Sequence, residues 1–217
     1  PGEPPFKGLQ YFDEADADLF FGREMLTAKL VHRLREFLAS EAALRFLAVV
    51  GASGSGKSSL VRAGLIPALR RGSILADGSR PPQGSTRWLF RVMTPTVQPL
   101  TALATALAQD DHAPPETLRQ DLAHDPLALN RHVRQSLSGQ RRYKHPEALY
   151  LLLFIDQFEE LFTLCREESE RRAFIENLMN AVSHRSPEDE GVGGLIVVLA
   201  LRADFYVHCA QYASLRE

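Results

Sequence analysis

Four short stretches of the chain are apolar almost without a break: residues 45–50 (RFLAVV), 88–93 (WLFRVM), 149–155 (LYLLLFI) and 195–201 (LIVVLAL). Runs of this length without polar alternation predict strands buried on both faces. Helical spacing fills the intervals. Leu26, Leu30, Leu34 and Phe37/Leu38 recur on one face after Gly22-Arg23-Glu24. Residues 58–71 read as a helix that Gly64 and Pro67 weaken or bend. Leu100, Leu103, Ala104 and Leu107 mark a further helix, closed by Asp110-Asp111 and Pro114-Pro115. Asp125-Pro126 reads as a cap with proline at the first helical position, leading to Leu127, Asn130, Arg134 and Leu137. Residues 168–184 predict a helix with Phe174, Ile175, Leu178, Met179 and Val182 inward. Strands alternating with helices imply an α/β fold, a mainly parallel central sheet flanked by helices.

The connecting segments differ in character. Residues 1–13 are proline-rich and extended, and Asp16 and Asp18 suit the caps of a short turn before Leu19-Phe20-Phe21. Residues 72–86 are rich in Gly, Ser and Pro and read as a surface loop. Residues 140–145 form a basic connector, and residues 186–194 an acidic, glycine-rich loop. The chain divides into an entry segment, residues 1–21, and one domain, residues 22–217.

Charge and composition then exclude several classes. Lys and Arg number 25 against 27 Asp and Glu, a net charge of −2, so no global basic surface invites nucleic acid or an acidic membrane. The longest uncharged apolar stretch, residues 191–201, falls far short of the ~20 residues that span a bilayer. The N-terminus has neither the basic region nor the apolar core of a signal peptide. Cys165 and Cys209 have no CxxC spacing and read as reduced core thiols, in keeping with a cytoplasmic protein. The missing initial Met and the stop at Glu217 suggest a piece of a longer protein.

The candidate chemistry begins where the first strand ends. Gly51-Ala52-Ser53-Gly54-Ser55-Gly56-Lys57-Ser58 matches G-x-x-x-x-G-K-[ST] in full, between a buried strand and a helix. Glycines let the backbone curl so that successive N–H groups face an anion, and the helix start adds its positive dipole end. Lys57 suits the β- and γ-phosphates of a nucleotide. The Ser58 hydroxyl suits Mg²⁺, and the Ser59 hydroxyl the α-phosphate.

Such a loop needs a carboxylate beside it to hold the water shell of Mg²⁺. Asp156 ends the third apolar run, at the strand edge where ligands bind in open α/β sheets. Glu159 and Glu160 follow it. One of them can act as general base on the attacking water; on a helix they point about 100° apart, so only one faces the γ-phosphate, and Glu160 is slightly favoured. The bland alternative is a first-turn glutamate that complements the helix dipole.

Four motifs together resemble the STAND class, signal-transduction ATPases with numerous domains, and within it the bacterial novel STAND NTPase group. They are Phe20-Phe21-Gly22-Arg23-Glu24, the 51–58 loop, Asp156-Gln157-Phe158-Glu159-Glu160-Leu161 and Leu201-Arg202-Ala203-Asp204-Phe205. The resemblance covers residues from about 6 to 217. It implies a three-layer P-loop NTPase fold of the ASCE/AAA+-like kind that binds ATP or ADP with Mg²⁺. Phe21, Gly22 and Arg23 then line the base or sugar, and Arg202 senses the γ-phosphate. From the residues alone, Arg202 equally suits a surface ion pair with Asp204. Relatives of this kind act as slow switches: ADP holds a closed monomer and ATP licenses self-association. Effector and sensor domains are fused to or associated with such cores, some of which serve in bacterial defence or regulated cell death. The chain departs from the pattern in lacking the helical and winged-helix segments expected after the core, and also a fifth strand unless the residues near the C-terminus build it.

Other readings compete. An AAA+-like ATPase acting on DNA would use the basic residues Arg131, Arg134, Arg141, Arg142 and Lys144. A small-molecule kinase would use arginines such as Arg70, Arg71 and Arg80 as a lid. A non-hydrolysing nucleotide-binding interaction module needs only the loop. Guanine specificity is disfavoured, because no Asn-Lys-x-Asp segment occurs.

Overall fold

The structure is a computed structural model that describes residues 11–40, 44–108, 114–140, 148–183 and 192–215. Among them four parallel strands form one sheet: β1 (Phe46–Gly51), β2 (Leu89–Met93), β3 (Leu149–Ile155) and β4 (Val192–Arg202). The order across the sheet is β1-β4-β3-β2. The chain therefore leaves β1, crosses to the far edge, and returns strand by strand until β4 slots in beside β1. That return brings the carboxyl ends of β1, β4 and β3 together along one edge.

The side chains of β3 and β4 alternate between two cores, as the pleat requires. Leu151, Leu153 and Ile155, with Val197, Leu199 and Leu201, face helices α4 (Pro99–Leu107), α5 (Pro115–His124), α6 (Ala128–Gln140) and α8 (Glu168–Ser183). Leu152 and Phe154, with Ile196, Val198 and Ala200, face α1 (Glu24–Ala39) and the helical run over residues 57–71. Helix, sheet and helix make the three layers expected for this α/β fold.

The run over residues 57–71 bends as its sequence suggests. It consists of α2 (Lys57–Ser59), a π-helical stretch (Leu60–Leu65) and α3 (Ile66–Arg71). Pro67 has no N–H to continue the α-helical ladder, and the wider π turn absorbs the break. Gly72 closes the run with φ 62°.

The structure corrects several expectations. Helix α1 is rotated by about one residue, so that Thr27, Ala28, Val31, Leu34 and Phe37 are buried while Leu26 is exposed. The small pair Thr27 and Ala28 lets α1 approach Gly64, where even a Cβ would stand 2.6 Å from Thr27 Oγ1. In α6 the buried line is Leu129, Val133 and Leu137, and Leu127 is exposed. Strand β1 lies at the sheet edge and is half-exposed along its length. The described residues hold no fifth strand beside it, and after β4 the chain enters short helical turns, Ala203–Phe205, α9 (Tyr206–Cys209) and Ala213–Leu215. Helix α5 was not expected at all. The basic connector from residue 141 on and most of the acidic loop lie outside the described residues. Both cysteines are buried and free. No helix among the described residues is long and apolar enough to cross a membrane.

Candidate functional site

The loop that follows β1 is shaped by its glycines. Gly54 and Gly56 have φ of 71° and 84°, the left-handed region that other residues adopt at a cost. Gly51 sits where the loop closes on itself, and a Cβ there would meet Ser55 Oγ at 3.0 Å and Lys57 Cδ at 3.7 Å. Ala52 and Ser53 begin the turn, and the Ser55 N–H donates to the Ala52 carbonyl at 3.3 Å. Lys57 folds back over the loop, its Nζ donating to the carbonyls of Gly51 at 3.1 Å and Ala52 at 2.8 Å. Those two bonds hold a cation over the cradle that the loop's geometry offers an anion.

Asp156 is only 3% exposed, and each of its oxygens is engaged. Oδ1 accepts from Ser58 Oγ at 2.7 Å and from the Gln157 N–H at 3.0 Å. Oδ2 accepts from Arg62 Nε at 3.1 Å. The Asp156 backbone is fixed in turn, its N–H donating to the Met93 carbonyl at 2.8 Å. The next residue, Gln157, turns the chain with φ 50°, and Thr96 beyond β2 has φ 61°. Non-glycine residues in this region cluster at functional sites.

Glu159 and Glu160 engage different groups. Glu159 Oε2 accepts from the backbone N–H of Arg202 at 3.2 Å, tying the end of β3 to the end of β4. Glu160 begins the short helix α7 (Glu160–Thr163) and is partly buried. Burial raises its carboxyl above the ordinary range, and the charges of Glu159 and Asp156 add to the rise against a bond from the Thr96 backbone.

Arg202 pairs in register with Gly51, the first residue of the loop. Its guanidinium reaches Asp204 with Nε at 3.2 Å and Nη2 at 2.7 Å, an ion pair with both partners well exposed. The Arg202 guanidinium holds the Asp204 carboxyl below its usual range, with a smaller pull from Lys57.

The entry segment lies across the helix that follows the loop. The Phe12 N–H donates to Ser59 Oγ at 3.0 Å, so the buried Ser59 hydroxyl is already an acceptor. Phe20 turns inward, 6.0 Å from the Phe12 ring and 3.3 Å from where a Cβ on Gly64 would stand. Phe21 is 76% exposed. Gly22 takes φ 81°, and its N–H donates to Glu24 Oε1 at 2.9 Å. Arg23 precedes α1 as its N-cap and is exposed. Between this segment, α1 and the 57–71 run lies a cleft of about 410 Å³, lined in part by Phe20, Glu24, Thr27, Gly64, Pro67 and Leu75.

The structure thus gathers the 51–58 loop, Asp156, Glu159, Glu160 and Arg202 at one sheet edge. Phe21–Arg23 stand apart, where the entry segment runs into α1. Sequence reasoning missed Arg62, which touches Asp156, and Phe20, which seats the entry segment. Three arginines of the competing readings sit in ion pairs: Arg131 with Asp125 at 2.5 Å, Arg70 with Glu14 at 3.1 Å and Arg71 with Asp18 at 2.8 Å. Arg141, Arg142 and Lys144 lie outside the described residues.

The residues present fit Mg²⁺. A hydroxyl and a carboxylate at 2.7 Å offer hard oxygen donors beside an anion cradle. Among the described residues no cluster of three or more His, Cys, Asp or Glu side chains comes together as a metal site. Mg²⁺ needs none, because water and nucleotide phosphates complete its octahedron.

A glycine loop between a parallel strand and a helix, with a buried aspartate at the end of the next strand but one, defines a P-loop nucleotide-binding domain. Within that class the chain belongs to the family Novel STAND NTPase 1 (nSTAND1), whose family model matches residues 5–217. No curated protein and no solved structure shows significant similarity to the chain.

Proposed function

We propose that this domain binds ATP with Mg²⁺, hydrolyses it slowly, and changes conformation and association state as ADP is exchanged for ATP. The observation that carries the reading is the contact of Ser58 Oγ with Asp156 Oδ1 at 2.7 Å. It joins the loop and the acidic strand end in the arrangement that Mg²⁺-dependent phosphate binding requires.

In this reading the amides of residues 51–56 and the start of α2 hold the phosphates. Lys57 leaves the Gly51 and Ala52 carbonyls for the β- and γ-phosphate oxygens. Ser58 and Asp156 hold Mg²⁺, which supplies neutralisation of phosphate charge when bound. Glu160 is the better general base. Its raised basicity suits proton abstraction, while Glu159 is engaged by the Arg202 backbone. Arg202 exchanges Asp204 for the γ-phosphate and so reads which nucleotide is bound. Ser59 accepts from the Phe12 N–H and keeps its own hydroxyl proton to donate to the α-phosphate. Phe21, at the end of the entry segment (residues 1–21), and Gly22 and Arg23, at the start of the nucleotide-binding domain (residues 22–217), flank the base. Self-association, effector and sensor domains, a role in bacterial defence and a cytoplasmic location are the biological frame that the family suggests.

A calorimetric titration with ATP and Mg²⁺ tests this. Binding by the wild type and its marked weakening in Lys57→Ala is the expected result. Equal binding by both proteins, or none by the wild type, overturns it.

A further inference from the structure

Arg62 is the one cation that touches Asp156 from inside the protein, among the described residues. It lies on the π-helical stretch just past the loop, with its side chain 14% exposed. Its Nε donates to Asp156 Oδ2 at 3.1 Å. The other end of the guanidinium faces the entry segment. The Tyr11 ring lies 4.4 Å from its Cζ, and Asp13 Oδ1 stands 3.8 Å from Nη1. One planar group therefore spans from the carboxylate of the acidic strand to two residues of the segment that crosses the helix. Arginine suits this, since its fork can bond a carboxylate while its face stacks on an aromatic ring.

The Asp156 end is rigid and the segment end is not equally anchored. Asp156 is held by its own backbone bond to Met93 and by Ser58. Tyr11 and Asp13 are exposed; the segment is tied to the helix beside the loop by Arg62 and the Phe12 bond to Ser59, and further along by the exposed ion pairs of Arg70 with Glu14 and Arg71 with Asp18. Ser59 and Arg62 are neighbours on one helical face, so the two ties reinforce each other.

We propose that Arg62 is a positioning residue that couples the charge state around Asp156 to the docking of the entry segment Tyr11–Phe20. While Asp156 faces only Ser58 and Gln157 on Oδ1, its Oδ2 anchors Arg62, and Arg62 anchors Tyr11. A divalent cation or its water shell at Asp156 competes for the same carboxylate and repels the guanidinium. Arg62 then loses its fixed point, and Asp13 is the only other carboxylate it pairs with among the described residues. The segment loosens as a result. The cation half of this coupling rests on the nucleotide reading above; the tether between Asp156, Arg62 and Tyr11 does not.

Hydrogen exchange of residues 12–20 in the whole chain, read by mass spectrometry, tests both halves. In nucleotide-free protein, Arg62→Ala and Asp156→Ala are each expected to speed exchange there on the order of tenfold, and the double variant no further. In wild type holding ADP, adding Mg²⁺ is expected to speed the same amides. In Arg62→Ala it is expected to change nothing, a loss that a merely structural role would not produce. Far-ultraviolet circular dichroism and a melt check that each variant folds; should Asp156→Ala not fold, Asp156→Asn replaces it. Fluorescent ADP, titrated into the same samples, reports nucleotide binding separately. If no nucleotide binds, the functional reading fails and the nucleotide-free arm alone decides the tether. Wild-type exchange in Arg62→Ala, or additive effects in the double variant, overturns the proposal. A Mg²⁺ response that survives in Arg62→Ala overturns it equally.

Discussion

Ser58 Oγ and Asp156 Oδ1 are 2.7 Å apart although 98 residues separate them in the chain. The loop ends β1 and the aspartate ends β3, so β4 intervenes between their strands. The contact exists because all these strands are parallel and finish at the same edge. Replacing Ser58 by Ala removes one of the oxygen donors and leaves the loop backbone intact. The expected outcome is selective: the gain in nucleotide affinity on adding Mg²⁺ falls by about tenfold, while affinity measured in excess EDTA is unchanged. Paired titrations with and without the metal check it. An equal loss in both conditions would mean that Ser58 shapes the loop instead.

Lys57 presently satisfies two loop carbonyls, at 3.1 Å from Gly51 O and 2.8 Å from Ala52 O. A bound phosphate offers its ammonium a full negative charge in their place. Charge-assisted hydrogen bonds of this kind are worth about 1.5–3 kcal/mol. Lys57→Ala is therefore expected to weaken ATP binding by roughly 10- to 100-fold. Stability in the absence of nucleotide should change little, because the Ala52 carbonyl is exposed and the Gly51 carbonyl only partly buried, so water can replace the ammonium. Calorimetry for binding and a thermal melt for stability separate the two effects.

Glu160 carries a cost that its substitution should release. Its carboxyl is raised above 4.5 by burial and by Glu159 and Asp156. The folded state therefore holds the Glu160 proton more tightly than the unfolded chain does. Stability falls as pH rises from the unfolded value through the folded one, and stays lower above it. Glu160→Gln removes that loss. The variant is expected to melt higher than wild type at neutral pH, and the difference should close on acidification below about pH 4.5. The same change should slow hydrolysis by about 10²–10⁴-fold with nucleotide binding retained. Melts across pH and a phosphate-release assay test the two claims. A slowing with Glu159→Gln but none with Glu160→Gln would exchange their roles.

The strands and the loop were legible because their signals are local. Four apolar runs gave four strands, and the glycine pattern gave the turn and the helix start. Three features were hidden for physical reasons. Helix α5 begins with Pro115 at its first position, so a proline pair that looks like a stop is also a start. It buries only Leu118 and Leu122, too few for a visible period. The start of β4 looked like loop because it contains Gly193 and Gly194. Glycine is needed there because a Cβ on Gly193 would meet the Tyr150 ring at 2.5 Å, and Gly194 has φ 95° against the guanidinium of Arg45. Arg62 gave no signal, because an arginine on an apolar helix reads as snorkelling to solvent. Its partners lie 94 residues ahead at Asp156 and some fifty behind at Tyr11 and Asp13. Contacts of that range are set by the strand order, which no single segment encodes.

Gly64 connects the local and the distant parts of the site. It sits in the π-helical stretch where α1 and the entry segment both meet the helix. A Cβ there would lie 2.6 Å from Thr27 Oγ1 and 3.3 Å from Phe20 Cε1. Two effects oppose each other in Gly64→Ala. Alanine gains up to about 1 kcal/mol of helix propensity over glycine. Overpacking costs about 1–3 kcal/mol, and the contact with Thr27 is too short to absorb without moving α1 or turning its side chain. The clash should win, giving a net loss on the order of 1 kcal/mol in a denaturant melt. Thr27→Ala removes the nearer obstacle. The double variant is therefore expected to recover most of the loss caused by Gly64→Ala, a non-additivity that marks direct contact. Simple addition of the two single effects would show that the helices part instead of pressing together at this point.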